Sequence, residues 1–297
     1  MLNLLQTALE LGLICSLTTL ALFVSYGMLN VCDLSTDGCF TLGAAVGAVV
    51  AAAGHPVLSL PAAILAGMCS GFVTAFLQTR MGVNSLLAGI AVNTGLYSIN
   101  IAVMGGSSLV NLNKVETVFT GMRSLLLPLH LDGQYKLITA LVFVLIIWGF
   151  LVVFLKTRLG LSIRATGSNA DMVRSSSIDP TFTTTVTLII SGGITALSGC
   201  LLAQCQKSAN IDMGSGMVTI ALASLLMGGT LIKRGSLQKR ALSAVLGAVL
   251  FRLIYMIALR LHLPAFLLKL ISALIVIICI WGAQLQLPGR RKGGQTC

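Results

Sequence analysis

The sequence predicts an all-α, polytopic transmembrane bundle of about nine spans, with a weak inverted internal repeat and broken helices. Three observations carry this. The 297 residues are 56% hydrophobic and only 9% charged, whereas soluble domains carry roughly 25% charged residues. Apolar stretches near the ~20 residues needed to cross a hydrocarbon core follow one another along the whole chain. The basic residues, finally, fall in blocks rather than being scattered.

The predicted spans cover residues 4–29, 38–54, 57–78, 83–104, 135–155, 181–204, 215–232, 241–260 and 265–285. The first lacks the basic flank of a cleavable signal, since the first Lys or Arg is Arg80, so it is read as a permanent span. The connections are short, and residues 1–297 are read as a single transmembrane domain. With these spans, Arg80, the Lys156–Arg174 group, the Lys233–Arg240 group and Arg290–Lys292 all fall on one side. That makes twelve basic residues against five on the other. By the positive-inside rule, the crowded side and the C-terminus are cytoplasmic and the N-terminus lies outside. The net charge of +11 therefore records topology in a lipid-embedded chain. No aromatic residues interleave with the basic blocks, which argues against a nucleic-acid partner.

An internal repeat links the two ends of the chain. Residues 38–45 read GCFTLGAA and residues 216–223 read GMVTIALA, offset by 178. The same offset lays the first span over the sixth, giving approximate halves 1–104 and 181–285. An odd number of spans separates the copies, so they insert with opposite orientations, an arrangement recurrent in transporters with broken helices.

Two polar segments interrupt the apolar pattern. The stretch NVCDLSTDGCFTLGAA, residues 30–45, holds Asp33 and Asp37, two of only eight acidic residues. Ionised carboxylates are costly in hydrocarbon and face a cavity, a partner or water. Asp37 is expected to cap a half-helix starting near Gly38, where free N–H groups and the dipole favour negative charge. Asp33 is read as freer to face a route or gate. Thr41, Asn93 and Ser224 are the further candidates for a translocation pathway or gate. The histidines are too scattered for a metal site, and the cysteines, mostly within spans, read as small hydrophobes.

The second segment, residues 156–180, reads KTRLGLSIRATGSNADMVRSSSIDP. Ser168 followed by Asp171 fits a capped helix start, and Asp179–Pro180 opens the next span. A surface helix over 169–177 is predicted, flanked by Arg164 and Arg174 and offering Met172 as apolar contact.

The run GLSIRATGSNADMVRSSSID resembles the cytoplasmic coupling segment of bacterial ABC-importer permeases of the branched-chain amino acid and ribose type. Gly160, Arg164, Ala165, Gly167, Asn169, Arg174 and Ile178 match its pattern, while Val173 and Ser177 depart from it. The stretches NVCDLSTDGCFTLGAAVGA and MVTIALASLLMGGTLIKRGS are similar to further segments of that family. The DLSTDGCFTLGA form is closest to a tryptophan/tyrosine-type subgroup. The resemblance implies a permease subunit that works as a homodimer with a separate ATP-binding cassette subunit and an extracytoplasmic substrate-binding protein or lipoprotein. It assigns ATPase coupling to Arg164, Gly167, Ser168, Asn169, Asp171, Met172 and Arg174, and the solute to a small molecule such as an aromatic amino acid. The chain has no G-x-x-x-x-G-K-[ST] phosphate loop, so ATP and Mg²⁺ are expected on the partner subunit and no cofactor on this chain. A stand-alone, ion-coupled secondary transporter is the competing reading. The absence of H-E-x-x-H and G-x-S-x-G argues against an intramembrane enzyme.

Overall fold

A computed structural model describes residues 2–113, 115–126, 134–232 and 236–260, with positions 270, 273, 274 and 277. Helix α1 (Leu2–Ser25) is followed by α2 (Thr36–Ala52), α3 (Ser59–Thr79) and α4 (Ser85–Val103). A short strand β1 (Leu109–Asn111) and helix α5 (Val118–Leu126) lead to α6 (Tyr135–Phe154). Then come α7 (Arg158–Ser168), α8 (Ala170–Ser175), α9 (Pro180–Gln206), β2 (Ser208–Asn210), a 3₁₀ turn (Ile211–Gly214), α10 (Met217–Leu231) and α11 (Leu237–Arg260).

Among the described residues, seven helical stretches are long and apolar enough to cross a membrane, and α2 is a shorter apolar helix. The first eight predicted spans each have a helical counterpart. The ninth, 265–285, lies outside the described residues apart from four isolated helical positions, as do Lys233, Arg234 and the basic group 290–292. The structure thus does not establish a count of nine.

Helices α1 and α9 form the centre, with 83% of the apolar window of each buried, against 28% for α4 and α6. They run antiparallel. Thr18 donates its hydroxyl to Ser198 (2.9 Å), Ser198 donates to the Ile14 carbonyl (2.7 Å), and Ser191 donates to the Ala21 carbonyl (3.2 Å). Lipid removes the hydrophobic drive between helices, so small side chains and interhelical hydrogen bonds have to supply association. The SGGITALSG run of α9 meets both needs.

The helices around this pair follow the sequence offset. Helices α1 and α9 begin 178 residues apart, and so do α3 and α11. The contacts are exchanged: α3 packs on α9, while α11 packs on α1. Within α11, Arg252 donates to the Cys15 sulfur (3.0 Å) and lies over the Tyr255 ring. The departure from a purely helical chain is small, an antiparallel pairing of β1 with β2 that ties the 105–134 connection to the end of α9. Gln204 reinforces this tie, accepting from the Val118 backbone (2.8 Å) and donating to the Ser59 hydroxyl (2.6 Å).

Helices α2 and α9 approach so closely that a Cβ on Gly43 would overlap the Ala196 backbone. Gly43→Val is expected to destabilise the bundle by about 3 kcal/mol, read as a lower unfolding temperature in detergent. Gly95→Val, whose Cβ meets no atom within 4 Å, serves as the control and leaves it unchanged.

Candidate functional site

The polar segment between α1 and α2 folds into a compact knot. Asp33 is 3% exposed, and its Oδ1 accepts from the Ser35 N–H (2.9 Å) and hydroxyl (2.6 Å). Thr74 of α3 donates to the same Ser35 hydroxyl (3.2 Å), and Thr36 donates to the Asp33 carbonyl (2.9 Å). This is an Asx-type turn leading into α2. Asp33 is therefore committed to the local turn, contrary to the expectation that it is freer to face a route.

Asp37 also departs from its expected role. Helix α2 begins at Thr36, one residue before it, so Asp37 is not the cap of a helix starting at Gly38. Its carboxylate instead reaches the start of α10 in the other half of the chain. Oδ2 accepts from the Gly216 N–H (3.0 Å) and Oδ1 from the Val218 N–H (2.8 Å). Those N–H groups belong to the first turn of α10 or its flank and have no partner within that helix, and the helix dipole favours an anion there. Thr41 adds a second link, accepting from the Gly214 N–H (3.2 Å) while donating to the Asp37 carbonyl (3.1 Å). The starts of the two broken helices are thus joined head to head. Gly216 itself has a positive φ of 85°, so its place before α10 suits glycine.

Beside this junction opens a cavity of about 430 Å³, lined in part by Asp37, Thr41, Asn93, Tyr97, Asn100 and Asp212. The volume falls within the roughly 300–1,000 Å³ of small-molecule sites. Helix α4 supplies one wall because Gly38 lets it approach: a Cβ there would press on the Asn93 amide and Leu96. Asn100, two turns from Asn93, donates Nδ2 to the Gly38 carbonyl (3.2 Å). Thr94, Tyr97 and Ser98 are exposed on the same helix. A membrane-crossing helix does not offer such a surface to hydrocarbon without cost, so it belongs against water or protein.

The structure gathers Asp37, Thr41 and Asn93 around one cavity. Ser224 lies elsewhere: it is 1% exposed, donates to the Ile220 carbonyl of its own helix (2.7 Å), and stands where α10 meets Gly247 of α11. Asn100, Tyr97 and Asp212 were not among the expected pathway residues. The spacing Asn93–Tyr97–Asn100 on one helical side was a signal for the first two; nothing in the sequence placed Asp212 near them.

The 156–180 segment contains two helices, not one. Helix α7 covers the first part, with Thr157 at its start. Ser168 is its last residue, its hydroxyl donating to the Ala165 carbonyl (2.9 Å), so it does not cap the second helix. Asn169 does, accepting from the Asp171 and Met172 N–H groups at 3.1 Å each. Helix α8 then runs over 170–175, shorter than the expected 169–177. Arg164, Ser168, Asn169, Asp171, Met172 and Arg174 are exposed, and Arg174 pairs loosely with Asp171 (3.7 Å). Val173 is buried and anchors α8. Gly167 lies against the chain after α1, where a Cβ would overlap the Met28 carbonyl oxygen. Thr166 and Thr183 share a hydroxyl hydrogen bond (3.0 Å) that ties α7 to α9. At the start of α9, hydrogen bonds from the Thr181 hydroxyl and N–H hold the Asp179 carboxyl below its ordinary range.

Residues 4–280 match the family model described as "Branched-chain amino acid transport system / permease component". The chain belongs to that permease family. The permease is 34% identical over 267 residues to the tyrosine transport system permease protein of Clostridioides difficile, covering 90% of this chain and 86% of that one. It is 33% identical to an uncharacterized protein of Rickettsia prowazekii, covering 88% and 89%. It is 28% identical to the D-allose transport system permease protein of Escherichia coli, covering 73% and 64%. No solved structure matches the permease.

Asp37→Asn replaces one acceptor by an NH₂ group that faces a backbone N–H. We expect a loss of about 1.5–3 kcal/mol of stability, measured by thermal unfolding in detergent. Ser224→Ala removes only a bond within one helix and costs less than about 1 kcal/mol. Asn169→Ala is expected to weaken α8 by about 1 kcal/mol, seen as faster amide exchange confined to residues 170–175.

Proposed function

We propose that this permease is the membrane-spanning subunit of an ATP-driven importer for a small solute, an amino acid of the aromatic type by analogy with the tyrosine permease it resembles. Two copies would face each other across the polar side of α4, enclosing the cavity beside Asp37. A separate ATP-binding cassette subunit would dock on α8, and an extracytoplasmic binding protein would deliver solute at the opposite end of α9. ATP and Mg²⁺ belong to the cassette subunit in this reading.

The observation that carries the proposal is a continuous contact from the exposed helix to the cavity. Helix α8 is joined to α7 through Asn169; α7 rests through Gly167 on Met28 and Leu29. From there the chain runs only a few residues, through Asn30 with its positive φ of 61°, to the Asp33 turn and Asp37. A displacement of α8 by a docked subunit has a short mechanical route to the junction of the broken helices. Such a device works only if the partner contacts differ between states, which nucleotide-dependent closure of two cassette subunits provides.

The test is a pull-down of the tagged permease from mild detergent. The native chain is expected to bring down an ATPase, and Arg164→Glu with Arg174→Glu to lose it. A native chain that retains no ATPase overturns the importer reading in favour of ion-coupled transport. Gly167→Val separates docking from coupling: it is expected to retain the ATPase yet lose at least about 90% of uptake in whole cells, because α7 no longer seats on Met28.

A further inference from the structure

Helices α3 and α9 touch backbone to backbone where Gly67 meets Gly192 and Gly71 meets Leu188. These pairings make the two antiparallel, so the end of α3 lies beside the start of α9. Neither helix has a further glycine toward that end, and the pair parts into a cleft of about 360 Å³. Phe72 and Phe76 of α3 line it, two turns and one turn back from Arg80, and Phe182 of α9 faces them, one turn on from Asp179. All three rings are about half exposed. On helices long and apolar enough to cross a membrane, outward-facing rings of this kind meet acyl chains.

The mouth of the cleft is charged. Arg80, just past α3, and Asp179, just before α9, both line it and both are exposed. They are near neighbours: after the Thr181 hydrogen bonds, the Arg80 guanidinium adds to what holds the Asp179 carboxyl below its ordinary range. Among the described residues, however, no ion pair closes between them. No other charged side chain lines the cleft. The hydroxyls of Thr79 and Thr185 donate to carbonyls of their own helices, at 2.7 and 2.8 Å, so toward a ligand their oxygens are acceptors. The cleft therefore offers a cation and an anion held apart, summing to zero, over an apolar floor.

That pattern is complementary to an amphiphile that itself carries both charges. A phosphate suits Arg80, and an ammonium with N–H donors suits the carboxylate and the threonine oxygens. A headgroup with a phosphate and no amine would set its negative charge beside Asp179 with nothing to offset it. A quaternary amine would bring the positive charge but no donor.

We propose that this cleft binds a phospholipid of the phosphatidylethanolamine class. The phosphate lies on Arg80, the ammonium on Asp179, and an acyl chain runs along Phe72, Phe76 and Phe182. The basic groups share this side of the bundle, so the positive-inside rule puts the lipid in the cytoplasmic leaflet. The assignment concerns the lipid-facing side of α3 and α9 and is independent of the transported solute.

The experiment uses the full chain in phosphatidylcholine nanodiscs holding a trace of phosphatidylethanolamine with a diazirine on its acyl chain. After irradiation, labelled peptides are mapped by mass spectrometry. Adducts are expected to concentrate on residues 72–76 and on Phe182. Unlabelled phosphatidylethanolamine is expected to compete about fivefold better than phosphatidylglycerol or added phosphatidylcholine, the scale of an exposed charge pair. Asp179→Asn removes the charge but keeps the cap of α9, because Asn caps as well as Asp. It is expected to leave the unfolding temperature unchanged and to abolish the advantage over phosphatidylglycerol. Arg80→Gln is expected to lower labelling of the cleft about fivefold. Equal competition by phosphatidylglycerol or phosphatidylcholine against the native chain overturns the proposal. So does labelling unchanged in Arg80→Gln, a preference that survives Asp179→Asn, or adducts spread evenly over outward side chains such as Leu65, Leu87 and Ile146.

Discussion

The carboxylate of Asp37 holds together what the chain separates by about 180 residues. Its two oxygens receive the N–H groups of Gly216 and Val218, so the N-terminal ends of two broken helices share one anion. In lipid, unpaired backbone N–H groups cost several kcal/mol each, and a lone carboxylate is costly too. Each solves the other's problem. The cavity sits beside this junction because neither helix continues through it.

Around the junction, close packing does what apolar burial does in water. The α1–α9 pair carries a chain of Ser and Thr hydroxyls, and α3 and α11 lie on it in exchanged positions. Small residues bring the backbones together, and the larger apolar side chains of α3, α4 and α6 point outward, with Leu65, Leu87 and Ile146 all more than half exposed. That distribution is the expected one for a chain whose solvent is hydrocarbon.

The 156–180 segment converts an outer surface into an inner one. It presents Met172, Arg164 and Arg174 outward, buries Val173, and sets half-buried Gly167 against Met28 and Leu29. The inward contact falls on Met28–Leu29, a few residues before the Asp33 turn. A surface helix of six residues is too short to be stable alone, so it depends on its cap and on α9 for its position. Its placement follows any movement of the bundle for that reason.

Membrane class, the first eight spans, the 178-residue repeat and the existence of a surface helix near 170 were legible in the sequence, because each rests on composition or local periodicity. Asp33 and Asp37 stood out because carboxylates are rare in apolar chains. What each carboxylate does was not legible: Asp33 turned inward to a local turn, and Asp37 reached a helix in the other half, a choice that depends on which backbone N–H groups the fold brings near. The same holds for the cap of α8, where Ser168 and Asn169 are adjacent and chemically alike, and only the end of α7 decided between them. Ser224 looked like a pathway residue by its type, yet the α10–α11 contact took it. The sequence by itself determined a bundle of apolar helices with rare polar groups inside it. Only the tertiary structure decided which polar groups meet, since hydrogen bonding between halves depends on helix crossing and approach, which local sequence does not encode.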